Sequence, residues 1–378
     1  MHAALQRVIE EVIAPAAAKV DRDGTFPRPQ VEALQREGIL GLTVPASYGG
    51  GGKGLPEAEE VVREIGAVCG STAMVVTMHF SASAALVAAD RSDALAEIAA
   101  GRHLTTLAFS ETGSRSHFWA PLGTAASDSA DGTGTVRLNA RKSWVTSAAE
   151  ADSYVWSSLP LAADGPMTLW YVPSDSAGLA VTGSFDGLGL RGNASRPVDA
   201  QDVSVPSTAM LGEDGAGLDL ALAAVLPFFL ICSAGMSVGL MSAVTQETAE
   251  HLQKTQLAHL HQSLAQQQAP RAQLAQLRIL TDRTRALVNE TLKAVAEGRD
   301  DAQLLVLEVK AAAGEAAAEA TDLALRACGG AAYRKESGIE RRFRDSRAAR
   351  VMAPTTEALL DFVGRALCGL PLLGEVAA

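Results

Sequence analysis

A chain of 378 residues with 48% hydrophobic side chains is long enough for two or three packed domains. Its formal net charge of −11 and its pI near 5.2 exclude nucleic acid and an anionic membrane surface as expected partners. Aromatic residues make up only 4%, and the dominance of Ala and Leu fits closely packed helices.

Residues 1–103 read as helices, with apolar spacings near three and four in VEALQREGIL, PEAEEVVREIGAV and STAMVVTMHFSASAALVAA. The opening MHAALQRVIEEVIAP is an amphipathic helix carrying acidic residues. It lacks a basic n-region, an apolar h-region and a small-residue cleavage site, so it is not expected to be a signal peptide. The run Tyr48-Gly49-Gly50-Gly51-Gly52, between Pro45 and Pro56, marks a chain reversal. From 104 to 213 short β-type runs take over (TTLAFSE, GTVRLNARKSWVTS, SYVWSSL, MTLWYVP, GLAVTG, DVSVP), punctuated by DGTG, ADGP and SDSAG. These predict an antiparallel β-domain. From 214 to 378 the helical period returns in helices of bundle length, with Pro270 among the few breakers. The stretch from Leu220 to Gln246 carries no charge and is long enough to span a membrane. Pro227, Ser233, Gly235, Ser237 and Gly239 interrupt it and no second span accompanies it, so it is read as a helix buried in a bundle or subunit interface. The fold class is therefore α+β: helices, then sheet, then helix bundle.

Cys69, Cys232, Cys328 and Cys368 show no paired spacing, which predicts reduced, buried thiols in a cytoplasmic protein. Gly187-Leu188-Gly189-Leu190-Arg191-Gly192 matches a dinucleotide fingerprint in its letters. The following NASRPVDAQDVSVP reads as strand, whereas that fingerprint needs a helix opening there, so the glycines are assigned to turns. His251, His259 and His261 are spaced eight and two apart, not one helical turn, and are assigned to a solvated helix face; no metal site is expected. Nothing resembles a nucleophile elbow.

Five further pieces occur in series: LQREGILGLTVPASYGG; LAFSETGSRS with Lys142-Ser143-Trp144-Val145-Thr146-Ser147; GLGLRGNAS; DVSVP with Leu211-Gly212-Glu213; and Cys328-Gly329-Gly330-Ala331-Ala332-Tyr333 before Glu340-Arg341 and Arg344-Asp345. In order and spacing, over nearly the full length, this series resembles the acyl-CoA dehydrogenase family. The resemblance implies an N-terminal helical domain (1–103), a central β-domain (104–213) and a C-terminal four-helix bundle (214–378). It also implies dimers or tetramers with FAD held between sheet and bundle, and residues 220–246 as the first bundle helix. By the same resemblance Phe109, Ser110, Thr112, Trp144, Thr146 and Ser147 lie along the flavin ring. Gly329 and Gly330 let a helix end approach the adenosine or pyrophosphate part. The family's arginine and Phe-Gly pair on the second bundle helix have no counterpart in LQKTQLAHLHQSLAQQ. Arg326 stands where the family has glutamine and offers a replacement positive charge. His117, Phe229 and Met352 are expected in the substrate pocket.

Dehydrogenation of a thioester needs a carboxylate within reach of the α-proton. In the family it sits in a Tyr-Glu-Gly-Thr run after the Arg-Asp pair. Here the matching stretch is Met352-Ala353-Pro354-Thr355, so Ala353 occupies the place of the base. The alternative position on the first bundle helix falls at Phe228, Phe229 and Leu230, all apolar. Three readings follow. An oxygenase, whose reduced flavin meets O2, needs no α-proton base; His79 is its candidate catalytic group, and Ser110 and His117 are weaker polar contacts. A dehydrogenase with a relocated base would use Glu357. A non-catalytic subunit would pair with a catalytic paralogue. The oxygenase is the leading expectation, acting on a CoA thioester or related small organic molecule and fed by a flavin reductase.

Overall fold

The computed structural model describes residues 1–114, 117–128 and 134–373. Helices come first: α1 (His2–Val8), a π-helical turn (Ile9–Ile13), α2 (Ala14–Asp23), α3 (Arg28–Arg36), α4 (Leu55–Gly66), α5 (Gly70–Ala88) and α6 (Ser92–Ala99). α2 stops at Gly24, whose φ of 62° is the left-handed cap that glycine takes most easily. The glycine run folds back on the preceding segment: a Cβ on Gly50 would lie 2.2 Å from the Val44 carbonyl oxygen. α5 shows no apolar stripe because it is buried all round, Thr77, His79, Ser81 and Ser83 included.

Among the described residues eight strands follow: β1 (Thr105–Ala108), β2 (Thr124–Ser127), β3 (Thr135–Val145), β4 (Ser153–Ser158), β5 (Thr168–Pro173), β6 (Leu179–Val181), β7 (Arg196–Pro206) and β8 (Met210–Leu211). They form two four-stranded sheets, in the orders β1-β4-β5-β8 and β2-β3-β7-β6. Residues from both sheets, among them Trp156, Trp170 and Val172 of the first and Val136, Leu138 and Val203 of the second, share one apolar core. The expectation of a purely antiparallel domain is corrected at one place, because β1 pairs with β4 in parallel, Thr105 opposite Ser153. β2 was not anticipated; its residues, TAAS, are half-exposed and carry no apolar alternation. Residues 131–133 of the DGTG turn and Arg115-Ser116 of the motif LAFSETGSRS lie outside the described residues.

The remaining elements are α7 (Gly217–Leu220), a π-helical turn (Ala221–Val225), α8 (Leu226–Lys254), a two-residue ladder of β9 (Gln256–Leu257) and β10 (Gln262–Ser263), α9 (Gln268–Glu297), α10 (Ala302–Cys328), α11 (Gly338–Ser346), α12 (Ala348–Val351) and α13 (Thr356–Leu367). The ladder breaks the helical period ahead of Pro270. His251 lies in the last turn of α8, while His259 and His261 sit in the hairpin and not on a helix face. Among the described residues no His, Cys, Asp and Glu group could hold a metal ion. All four cysteines are free, but Cys368 is exposed, unlike the other three. Two helical stretches, Gly70–Ala88 and Gly217–Lys254, are long and apolar enough to cross a membrane, so the charge-free stretch is not the sole candidate; 83% and 72% of their apolar windows are buried.

The chain divides into two compact units. One contains Met1–Ala58, Met74–Gly187 and Arg191–Phe229; the other contains Glu59–Ala73, Leu188–Leu190 and the residues from Leu230 on. Within the second unit, α11 explains the glycine-rich letters near 189. Asp345 accepts a hydrogen bond from the Leu190 N–H at 2.7 Å, and Arg341 and Arg342 donate to the carbonyls of Val68 and Ala67 at 2.9 and 2.7 Å. A Cβ on Gly189 would come within 2.4 Å of the Arg344 carbonyl oxygen, so this glycine serves a close backbone approach.

Candidate functional site

In the sheet-containing unit, the segments 109–112 and 141–144 are stitched together. Thr112 N–H donates to the Arg141 carbonyl at 3.1 Å, and Ser143 N–H donates to that of Ser110 at 2.9 Å. Between them lies a buried ion pair. The Lys142 ammonium donates to Glu111 Oε1 at 2.5 Å and to the carbonyl and hydroxyl oxygens of Ser157 at 2.7 and 2.8 Å. The other Glu111 oxygen accepts from the N–H groups of Leu122 and Gly123 at 2.6 and 2.9 Å. All three ammonium protons and both carboxylate oxygens are therefore engaged. Burial pushes the Lys142 pKa down to about 8, against the opposing pull of Glu111.

Immediately after this pair the β3–β7 register slips between Lys142 and Val145, a bulge that re-aims the strand. Trp144 takes φ 56° there, a backbone state that bulky residues rarely adopt, and is 69% exposed with its ring edge-on to Phe185. Phe109 stacks on Phe118, and the exposed His117 ring lies 4.8 Å from that of Trp119. Phe109, Ser110, Thr112 and Trp144 thus lie on two segments that are hydrogen-bonded to each other. Thr146 and Ser147 are both buried; the Thr146 hydroxyl lies 3.1 Å from that of Ser195, and Ser147 N–H donates to the Asn193 carbonyl.

His79 offers no free ring nitrogen for the catalytic role expected of it. Its Nε2 bonds the Leu40 carbonyl at 3.1 Å and so carries the hydrogen, while Nδ1 accepts from the Thr105 N–H at 3.2 Å. With both nitrogens committed to backbone and the ring fully buried, desolvation holds its pKa down to about 4. It is a neutral core imidazole. Phe229 is buried on α8.

In the helical unit, α10 ends at Gly329, whose φ of 61° and ψ of −146° suit glycine alone. A Cβ on Gly329 or Gly330 would meet nothing within 4 Å, so both are exposed and approachable. Arg326 is exposed but paired with Asp322 at 3.1 Å, which offsets the charge assigned to it. Ala353 is half-buried and joined to Pro354 by a cis peptide, Met352 is half-buried, and Glu357 is exposed in the first turn of α13. Sequence reasoning missed Lys310. Its ammonium, on a side chain only 1% exposed, donates to the carbonyls of Ala349, Met352 and Pro354 at 3.0, 3.0 and 2.8 Å.

Three family profiles cover this chain in order: acyl-CoA dehydrogenase N-terminal domain over residues 1–97, middle domain over 106–203 and C-terminal domain over 215–368. The chain belongs to the acyl-CoA dehydrogenase family. It is 28% identical over 369 residues to the probable acyl-CoA dehydrogenase YngJ of Bacillus subtilis, covering 94% of this chain and 93% of that one. Its fold matches butyryl-CoA dehydrogenase from Megasphaera elsdenii with a TM-score of 0.89 at 22% identity, over 97% and 96% of the two chains. It also matches the prolyl acyl carrier protein oxidase AnaB with a TM-score of 0.87 at 18% identity, over 97% of each. Members of the family are FAD-binding flavin-dependent oxidoreductases. On the sheet-containing unit the residues present suit that group: Trp144, Phe109 and the hydroxyls of Ser110 and Thr112 would face its ring.

Proposed function

We propose that this protein is an FAD-dependent oxygenase acting on a thioester-linked substrate, working in a dimer or tetramer with electrons supplied by a flavin reductase. The observation that carries the reading is Ala353. A methyl group stands where the family resemblance puts the α-proton base, on a loop held in place by three hydrogen bonds. A methyl cannot accept a proton, and neither the family's alternative position nor His79 replaces it. Phe228, Phe229 and Leu230 are apolar, and His79 has no free nitrogen. FAD, when bound, supplies the two-electron chemistry. The chain's own part is to present Trp144 as a water-excluding wall and to orient the substrate beside it.

Glu357 supports a second reading, a dehydrogenase with a relocated base, because its charge acts on the Lys310 ammonium that holds the same loop. Anaerobic spectroscopy of the FAD-loaded protein with a panel of acyl-CoAs separates the two. Loss of visible flavin absorption with a thioester alone means dehydrogenation, and Glu357→Gln should then abolish it. Oxygen uptake by the chemically reduced protein, with an oxygen atom recovered in the thioester, supports the oxygenase. A protein that takes up FAD but does neither is a non-catalytic subunit.

A further inference from the structure

Lys310 plays no part in the chemistry above, yet it is one of the largest fully buried side chains among the described residues. It lies on the inward stripe of α10 with Val306, Ala313 and Ala317, where an apolar residue is the expectation. Its three carbonyl acceptors bracket one residue: Ala349 closes on it from α12, and Met352 and Pro354 flank position 353 on either side. One turn further along α10, Gly314 faces the same segment: a Cβ there would stand 3.4 Å from the Ala349 methyl, an ordinary contact distance. At the far end, the Thr355 side chain accepts from the Ala358 N–H and caps α13. The segment 349–355 is therefore fixed at both ends and gripped in the middle.

We propose that Lys310 is the positioning residue for position 353: by taking the carbonyls on both sides of that residue it sets the direction in which the loop faces the reacting thioester. This rests on the substrate reading above. Packing alone would be served by methionine, which has a similar stem and no donors. An ammonium is needed only if the carbonyls must be held, because each buried carbonyl left without a donor is costly.

The test compares FAD-loaded wild type, Lys310→Gln with two donors and Lys310→Met with none. Amide exchange is read over peptides covering 349–356, where the Met352 N–H bonds the Ala348 carbonyl at 3.0 Å. Exchange there should accelerate in the order Lys, Gln, Met, by about tenfold or more for Met, the equivalent of one lost charge-assisted bond. With an acyl-CoA that wild type turns over, kcat should fall by roughly tenfold or more while KM moves little, because misplacement acts on the reacting geometry. Unchanged exchange in this segment, or an acceleration spread evenly over α10 and α13, would overturn the assignment. If no acyl-CoA is turned over by wild type, the substrate reading fails, and the exchange series still decides the role of Lys310.

Discussion

Replacing Lys142 with Met tests the ion pair that ties the segments 109–112 and 141–144 together. Lys142 is fully buried and Glu111 nearly so. Removing one partner of a buried pair costs about 3–5 kcal/mol, because the other charge is left uncompensated. Here Glu111 would keep the N–H groups of Leu122 and Gly123, which places the loss near the lower end, about 3 kcal/mol. That corresponds to roughly two orders of magnitude in the ratio of folded to unfolded protein. Urea unfolding followed by tryptophan emission suits the measurement, since the Trp156 ring lies 5.1 Å from the ammonium. The double variant Glu111→Gln/Lys142→Met should lose less than the sum of the single variants, as both charges are then gone. A loss below about 1 kcal/mol for Lys142→Met, or simple additivity in the cycle, would refute the pair's role in joining the segments.

Three other outcomes follow from the same geometry. Lys142 and Lys310 are pushed down by burial to about 8 and about 7 from an ordinary 10.5, so the unfolded chain binds more protons and stability should rise from about pH 7 to 10.5. His79, held near 4 instead of 6.5, adds a similar rise between those values, and unfolding midpoints across the range should show both windows, the upper one reduced in Lys310→Met. His79→Phe strands the Leu40 carbonyl and Thr105 N–H and should cost about 3 kcal/mol of stability without altering the bound flavin's spectrum. A lost reaction at unchanged stability would restore a catalytic role. Gly189→Ala drives a methyl into the Arg344 backbone and should destabilise the helical unit by about 3 kcal/mol, read as a lower melting temperature, while NAD binds neither variant nor wild type.

Periodicity made the order of helices, sheet and helices legible, because amphipathic spacing survives wherever one face is buried. α5 shows the limit: buried on every side, it has no stripe, and its His79 looked like a reactive group until the neighbouring backbone was in place. The exposed Trp144 was legible only as a motif letter. Its presentation depends on a register slip that no local pattern encodes, and the same slip leads into the turn that buries Thr146 and Ser147. The parallel β1–β4 pairing is non-local for the same reason. Lys310 could have been found. In VLEVKAAAG a charge falls at the three-to-four spacing of Val306, Ala313 and Ala317, and a lysine on a buried stripe signals waiting acceptors.

Lys310 also bears on how the missing base is to be understood. Had the loop at 349–355 merely become dispensable, nothing would require a buried ammonium beneath it, since an apolar side chain there avoids desolvating a charge. The loop instead is gripped by the Lys310 ammonium and ends on the Thr355 cap. On the reading proposed above, the loop is held in place while a methyl stands at the position that the family resemblance assigns to the proton acceptor. A held loop without an acceptor favours a changed reaction over a decayed site.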